Sequence, residues 1–109
     1  MHLLNDILKK CAALGIYEKR VVSDKYCELI IYNKEIDEWK KVFTDILGTA
    51  VKSPEEKPTK EDIRLTEPYG GVRGNQMLFK KELGDSTVIA MFWPWQSGPY
   101  TTLKIALLS

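Results

Sequence analysis

Histidine is almost absent from this chain of 109 residues. The only one, His2, stands beside a terminus expected to fray, and acid–base catalysis needs a held geometry. Cysteine is nearly as scarce: Cys11 and Cys27 are the only two. With so few nitrogen and sulfur ligands, a zinc site fails by ligand count. The acidic stretch 55–62 lacks the alternating, glycine-broken spacing of a calcium loop, so no metal site is expected. There is no cysteine framework and no export signal, so both thiols are expected to be buried and reduced, and the cytosol is the expected compartment. No stretch approaches the ~20 apolar residues of a membrane span. Neither sign of charge prevails: 16 Lys and Arg face 15 Asp and Glu, a net charge of +1. No long-range field therefore favours nucleic acid or an anionic membrane. No segment repeats, no Gly-x-Ser-x-Gly appears, and no pattern implies a cofactor.

What is present is the material of one soluble domain, 1–109, with 44% apolar and 28% charged residues. Leu4, Ile7, Leu8, Cys11 and Leu14 recur at helical spacing and Gly15 fits a stop, which predicts a helix over roughly 2–14. Ile16–Val22 is moderately strand-like, Ser23–Asp24 reads as a turn, and Tyr26–Tyr32 is a stronger strand. Whether these two runs pair stays open. Asn33 is a plausible N-cap for a second helix, whose apolar stripe is Ile36, Trp39, Val42, Phe43, Ile46 and Leu47. Glu35, Asp37 and Glu38 suit its first turn, and Gly48 its end. Thr49–Lys52 fits a short strand. Thr59–Asp62 resembles a capping box with Asp62 in the usual Glu position, enough for a turn or two through Leu65. It interrupts a long loop, 53–75, of the length that usually carries function or motion. Three strands follow, Gln76–Leu83, Ser86–Trp93 and Tyr100–Leu108. In the last, Leu103, Ile105 and Leu107 alternate with Thr102, Lys104 and Ala106, so the second set is expected to face outward. The sum is an α+β domain: two helices packed on one face of an antiparallel sheet of four to six strands, ending in a three-stranded meander.

The segment Val88–Trp95 breaks the alternation expected of a strand with one wet face, being apolar throughout. Both of its faces need cover. Helices supply one; a loop, a second protomer or a ligand must supply the other. Ile89, Met91 and Trp93 share that second side, and left bare they would make a patch of a few hundred Å², near the upper end for a monomer. Trp93–Pro94–Trp95 closes the strand and Tyr100 opens the next, a grouping of the large, stiff, polar-tipped side chains that favour interfaces. Pro94 marks an edge, a bulge or the strand's end. In the loop Gly70–Asn75, the glycines suit a tight turn with positive φ, or the approach of an anion that Arg73 would pair.

These residues carry expectations of different classes. The first is a non-enzymatic domain that self-associates as a homodimer through the surface bearing Ile89, Met91, Trp93 and Trp95. Burying each would contribute roughly 2 kcal/mol against an association cost of several. The second is a pocket between loop 53–75 and the sheet for a small, anionic molecule, lined by Tyr69, Arg73, Trp93, Trp95 and Tyr100. Single-stranded nucleic acid on the sheet is the weaker alternative: the outward basic positions are only Lys80 and Lys104, beside Glu82, and Arg20, Arg64 and Arg73 are scattered. An enzyme would have to assemble Glu28, Tyr69 and Arg73 from distant segments; Glu28 on its own reads as an outward, solvated residue.

Overall fold

The computed structural model describes residues 3–11, 13–23, 25–53 and 55–108, the first three by backbone alone. His2, Asp24, Pro54 and the Leu4 side chain lie outside the described residues. The elements in chain order are α1 (Leu3–Lys10), β1 (Ile16–Val22), β2 (Tyr26–Tyr32), α2 (Ile36–Leu47), α3 (Lys60–Thr66), β3 (Met77–Leu83), β4 (Ser86–Pro94) and β5 (Tyr100–Leu108). Single 3₁₀ turns occupy Asn33–Glu35 and Glu67–Tyr69. The strands form one antiparallel sheet in the order β1-β2-β5-β4-β3. The last strand therefore lies in the middle, joining the N-terminal hairpin to the hairpin β3–β4, and β3–β5 form the expected meander.

The first face of the sheet is covered by α1 and α2. Ile7 and Cys11, then Trp39, Phe43 and Leu47, pack on Cys27, Leu29 and Ile31 of β2, Val88, Ala90 and Phe92 of β4, and Leu103 and Ile105 of β5. At its centre Phe43, Phe79 and Phe92 meet pairwise, with ring centroids 5.4–5.9 Å apart and Phe43 edge-on to Phe92. Filling this layer with rings and branched aliphatics is the main drive to fold.

The ends of the helices depart from the sequence pattern for local reasons. The first helix stops at Lys10 rather than near Leu14, and Gly15 is not its cap. Instead the Gly15 N–H donates to Glu35 Oε1 (2.9 Å), and a Cβ at Gly15 would lie 2.8 Å from that oxygen. The glycine is there for close approach, so α1 and the start of α2 are tied through Glu35. Asn33 does not cap α2; its Oδ1 accepts from the Thr101 hydroxyl, and a 3₁₀ turn leads into the helix. Gly48 ends α2 as expected, with φ +86°. Thr49–Lys52 contributes only a bridge between Lys52 and Leu78.

Candidate functional site

The second face holds the apolar strand's other side. Ile89 and Met91 of β4, with Leu78 of β3 and Ala106 of β5, are buried there against Val72, Tyr69, Trp93, Tyr26 and Leu108. The cover is the chain's own segment 60–72. Its helix α3 starts at the expected capping box: Thr59 Oγ1 accepts from the Asp62 N–H (3.0 Å) and Asp62 Oδ2 from the Thr59 N–H (2.9 Å). Thr66, fully buried, then turns the chain down onto the sheet. Its Oγ1 donates to the Asp62 carbonyl (2.7 Å) and accepts from the Val72 N–H (2.9 Å), seating Val72 on the strand. Ile89 and Met91, expected to meet a loop, a second protomer or a ligand, lie beneath this segment of the loop 53–75, so they are not an open surface for a second protomer. The reading of β5 is corrected too: outward-alternating Ala106 lies in this cluster, and Thr102 is buried where Trp95 Nε1 donates to its hydroxyl.

No sequence signal marks the residue that holds the base of this cover. Lys52 is 1% exposed. Its Nζ donates to three carbonyls, those of Ser53 (3.1 Å), Gly74 (3.2 Å) and Gln76 (2.6 Å). Burial holds its pKa below the ordinary lysine value, against an opposing pull from Glu56 and Asp62. Its backbone pairs with Leu78, so the same residue bridges the outer edge of β3 at that position. Three carbonyl acceptors satisfy every N–H of an ammonium, which is what a buried lysine requires.

The glycine turn that follows α3 is used for proximity. Gly70 and Gly71 have φ of +104° and +78°. A Cβ on Gly70 would lie 2.5 Å from Cη2 of Trp93, so the turn sits directly against the indole and leaves no room for a ligand between. The carbonyl of Tyr69 accepts from Lys104 Nζ (2.8 Å), which also lies 3.6 Å from the centre of the Trp93 ring. Tyr69 stacks on Tyr26, whose hydroxyl donates to Glu28 Oε1 (2.7 Å). Glu28, expected in solvent, is thus half-buried and also pairs with Arg20 (3.8 Å). Burial and the Glu28 carboxylate raise the Tyr26 pKa, and burial lowers that of Lys104.

Beyond Trp93 the cover ends, and the rest of this face is an open cluster of rings. Trp95 packs edge-on to Tyr100 (centroids 5.1 Å), Tyr100 lies 4.4 Å from Tyr17 and 5.7 Å from Tyr32, and Tyr17 meets Tyr32 edge-on at 5.9 Å. Trp95 Nε1 donates to Thr102 Oγ1 (2.8 Å), which fixes the indole over β5. Tyr17 remains 50% exposed and Trp95 37%. Lys34 stands 5.4 Å from the Tyr32 ring. Proximity to Tyr17 and Tyr32, with burial first among the causes, raises the Tyr100 pKa.

Of the seven residues singled out from the sequence, Tyr69, Trp93, Trp95 and Tyr100 come to one face. Ile89 and Met91 lie under its cover. Arg73 stands apart in the turn before β3, exposed, its N–H donating to Gln76 Oε1 (2.8 Å). Tyr17 and Tyr32 join the ring cluster without having been expected. Tyr32 follows the alternation of β2, but Tyr17 sits at a bulge of β1, and only the pairing of β1 with β2 and of β2 with β5 brings them to Tyr100. Lys80 and Lys104 are engaged: Lys80 pairs with Glu61 (3.4 Å) and Glu82 (3.7 Å), and Lys104 with Tyr69 and Trp93. Both cysteines are free and buried, with burial pushing the Cys11 thiol up to about 11 and raising that of Cys27. On the helix side, a shallow hollow of about 230 Å³ lies between the start of α2 and the ends of β4 and β5, lined by Ile36, Lys40, Phe92 and Thr101 among others, with none of the seven. Among the described residues, no group of three or more His, Cys, Asp or Glu is placed to hold a metal ion, and no helix is long and apolar enough to cross a membrane.

Comparison with known proteins finds no matching family model, no matching curated protein and no matching solved structure.

Proposed function

We propose that this domain is a non-enzymatic binding module whose recognition surface is the open half of the second sheet face, formed by Tyr17, Tyr32, Trp95 and Tyr100. One observation carries the reading: two large rings, Tyr17 and Trp95, stay open to solvent on a face whose other half the chain covers for itself. Because their planes cross at steep angles, 81° for Tyr17 with Tyr32 and 63° for Trp95 with Tyr100, the surface offers both ring faces and ring edges. Such a surface suits a small ring-bearing ligand held by face and edge contacts. Charge contributes little, since Arg20 is paired with Glu18 and Glu28. An anion-selective pocket and a nucleic-acid platform both draw weaker support, the first because Arg73 is remote from the rings, the second because Lys80 and Lys104 are occupied.

Trp95 is the reporter for this reading, since Trp39 is buried and Trp93 half-buried under the Gly70 turn. Titration with nucleosides, monosaccharides and proline- or tryptophan-bearing dipeptides is expected to shift indole emission and raise Tm for one of these probes, and Trp95→Ala to abolish both changes. If none of them moves emission or Tm at millimolar concentration, the reading fails.

A further inference from the structure

The two outer edges of the sheet are finished differently. The β3 edge is bridged at one position, Leu78, whose carbonyl accepts from the N–H groups of Val51 and Lys52 (2.9 and 3.3 Å) and whose N–H donates to the Lys52 carbonyl (3.0 Å). The β1 edge has no neighbour on its outer side among the described residues. All of β1 beyond Ile16 is exposed, including two apolar side chains, Val21 at 41% and Val22 at 54%. An open edge with exposed branched residues is a template for another strand.

The sequence of this strand matches itself when reversed. Ile16-Tyr17-Glu18-Lys19-Arg20-Val21-Val22 is apolar at both ends and carries an acid and a base on either side of Lys19. Laid antiparallel on a second copy about Lys19, Ile16 faces Val22, Tyr17 faces Val21 and Glu18 faces Arg20, each pair occurring twice. The side chains are also in phase. Ile16, Lys19 and Val22 lie opposite Ile31, Leu29 and Cys27 and so belong to the helix-covered face. Glu18 and Val21 lie opposite Ile30 and Glu28, Arg20 reaches Glu28, and Tyr17 meets Tyr32 and Tyr100, so these four belong to the ring-bearing face. The register of β1 on β2 shifts twice, between Ile16 and Glu18 and between Lys19 and Val21. Bulges usually turn an edge away from other strands. Here they fall at Tyr17 and Arg20, so a two-fold axis through Lys19 sets them against Val21 and Glu18 of the other copy rather than against each other, while the opposed pairs still fall on common faces.

We propose that a second copy of this chain is the occupant of the β1 edge, the two strands pairing antiparallel about Lys19 to give one continuous sheet with both ring clusters on the same side. Cross-strand aromatic–aliphatic and opposite-charge pairs favour the contact, and the Lys19 pair on the axis opposes it. The proposal shares Tyr17 with the ligand reading, and Trp95, which lies outside the pairing strand, separates the two.

Sedimentation equilibrium of the full chain, with circular dichroism and Tm as fold controls, tests it. The wild type is expected to dimerise with rising concentration. Glu18→Arg puts cations at both 18 and 20 on the ring-bearing face of each strand and Arg20→Glu puts anions at both, so each alone is expected to weaken association by about tenfold or more. An equimolar mixture of the two variants is expected to regain it as a heterodimer, a rescue that no other contact surface would give. Lys19→Thr removes the like-charge pair and is expected to tighten the dimer. Trp95→Ala is expected to leave it unchanged. A wild-type chain that stays monomeric at the highest soluble concentration overturns the proposal. So does a dimer unaffected by Glu18→Arg, or a mixture of folded variants that fails to associate. Were a charge variant not to fold, Lys19→Thr alone would decide, with unchanged association counting against the interface.

Discussion

The two faces of the sheet are built from different aromatic residues. All three phenylalanines of the chain, Phe43, Phe79 and Phe92, lie in the helix-covered layer, whereas all five tyrosines, Tyr17, Tyr26, Tyr32, Tyr69 and Tyr100, lie on the other side with Trp93 and Trp95. A ring without a polar atom can be sealed away at no cost in lost hydrogen bonds; a phenol or an indole needs a partner or water. Tyr26 finds Glu28 and Trp95 finds Thr102. The phenols are sorted completely to the face left partly open, but the indoles are not: Trp39 is sealed in the helix-covered layer, and neither its Nε1 nor that of Trp93 has a hydrogen-bond partner among the described residues. The sorting separates a layer that holds the fold from a layer free to do something else.

Substitutions can break or sharpen that contrast. The largest expected effect is at Phe92, where truncation to alanine opens a cavity among Phe43 and Phe79 and is expected to cost about 3–5 kcal/mol, read by chemical denaturation. Next is Gly70→Ala. It places a methyl group at a positive φ and against the Trp93 indole, and is expected to cost on the order of 2–3 kcal/mol. It also lifts the cover locally, so indole emission of the folded protein should shift to the red, which Phe92→Ala should not produce. Third is an alkaline effect on the helix side. Folded Cys11 keeps its proton to about 11, above its ordinary value of 9.0. A raised folded pKa contributes stability that is complete below pH 9 and is lost as pH climbs towards 11, so Tm should fall across that window. The loss attributable to Cys11 is roughly 2 kcal/mol, and Cys11→Ala should flatten the slope by that amount. Smallest is Trp95→Ser, expected to change stability by about 1 kcal/mol or less although it removes a larger ring than Phe92→Ala does. If Trp95→Ser proved as damaging as Phe92→Ala, the distinction between the two layers would collapse.

The pattern of single elements was legible in the chain; the layering on the second face was only half so. The strand β5 and the body of α2 follow from periodicity, because those residues alternate or recur with the geometry of the element that holds them; β2 shows in its aromatic and β-branched content, and whether β1 pairs with it stayed open. The all-apolar run Val88–Trp95 correctly demanded cover on both sides. What it did not reveal is that the cover is intramolecular. That outcome depends on Thr66 bending the chain onto Val72 and on Lys52 anchoring the segment's base, and neither contact leaves a periodic trace. The outward reading of Lys104 failed for the same reason, since its carbonyl partner at Tyr69 comes from 35 positions away. The ring cluster shows the opposite limit. Trp95 and Tyr100 are near neighbours in the chain and stood out together, while Tyr17 and Tyr32 reach them only through the strand order, which pairs the second strand with the last.

The ammonium of Lys52 draws together residues 24 positions apart, Lys52 and Gln76, at the foot of the covering segment. It works as a clasp with no covalent bond. Between the clasp and the capping box at Thr59, the described residues Glu55, Glu56 and Lys57 are exposed. Lengthening a closed loop costs only about 0.6 kcal/mol per doubling. A foreign peptide grafted at that point would ride on the molecule while both layers of side chains beneath it kept their places, giving the domain a natural handle for display.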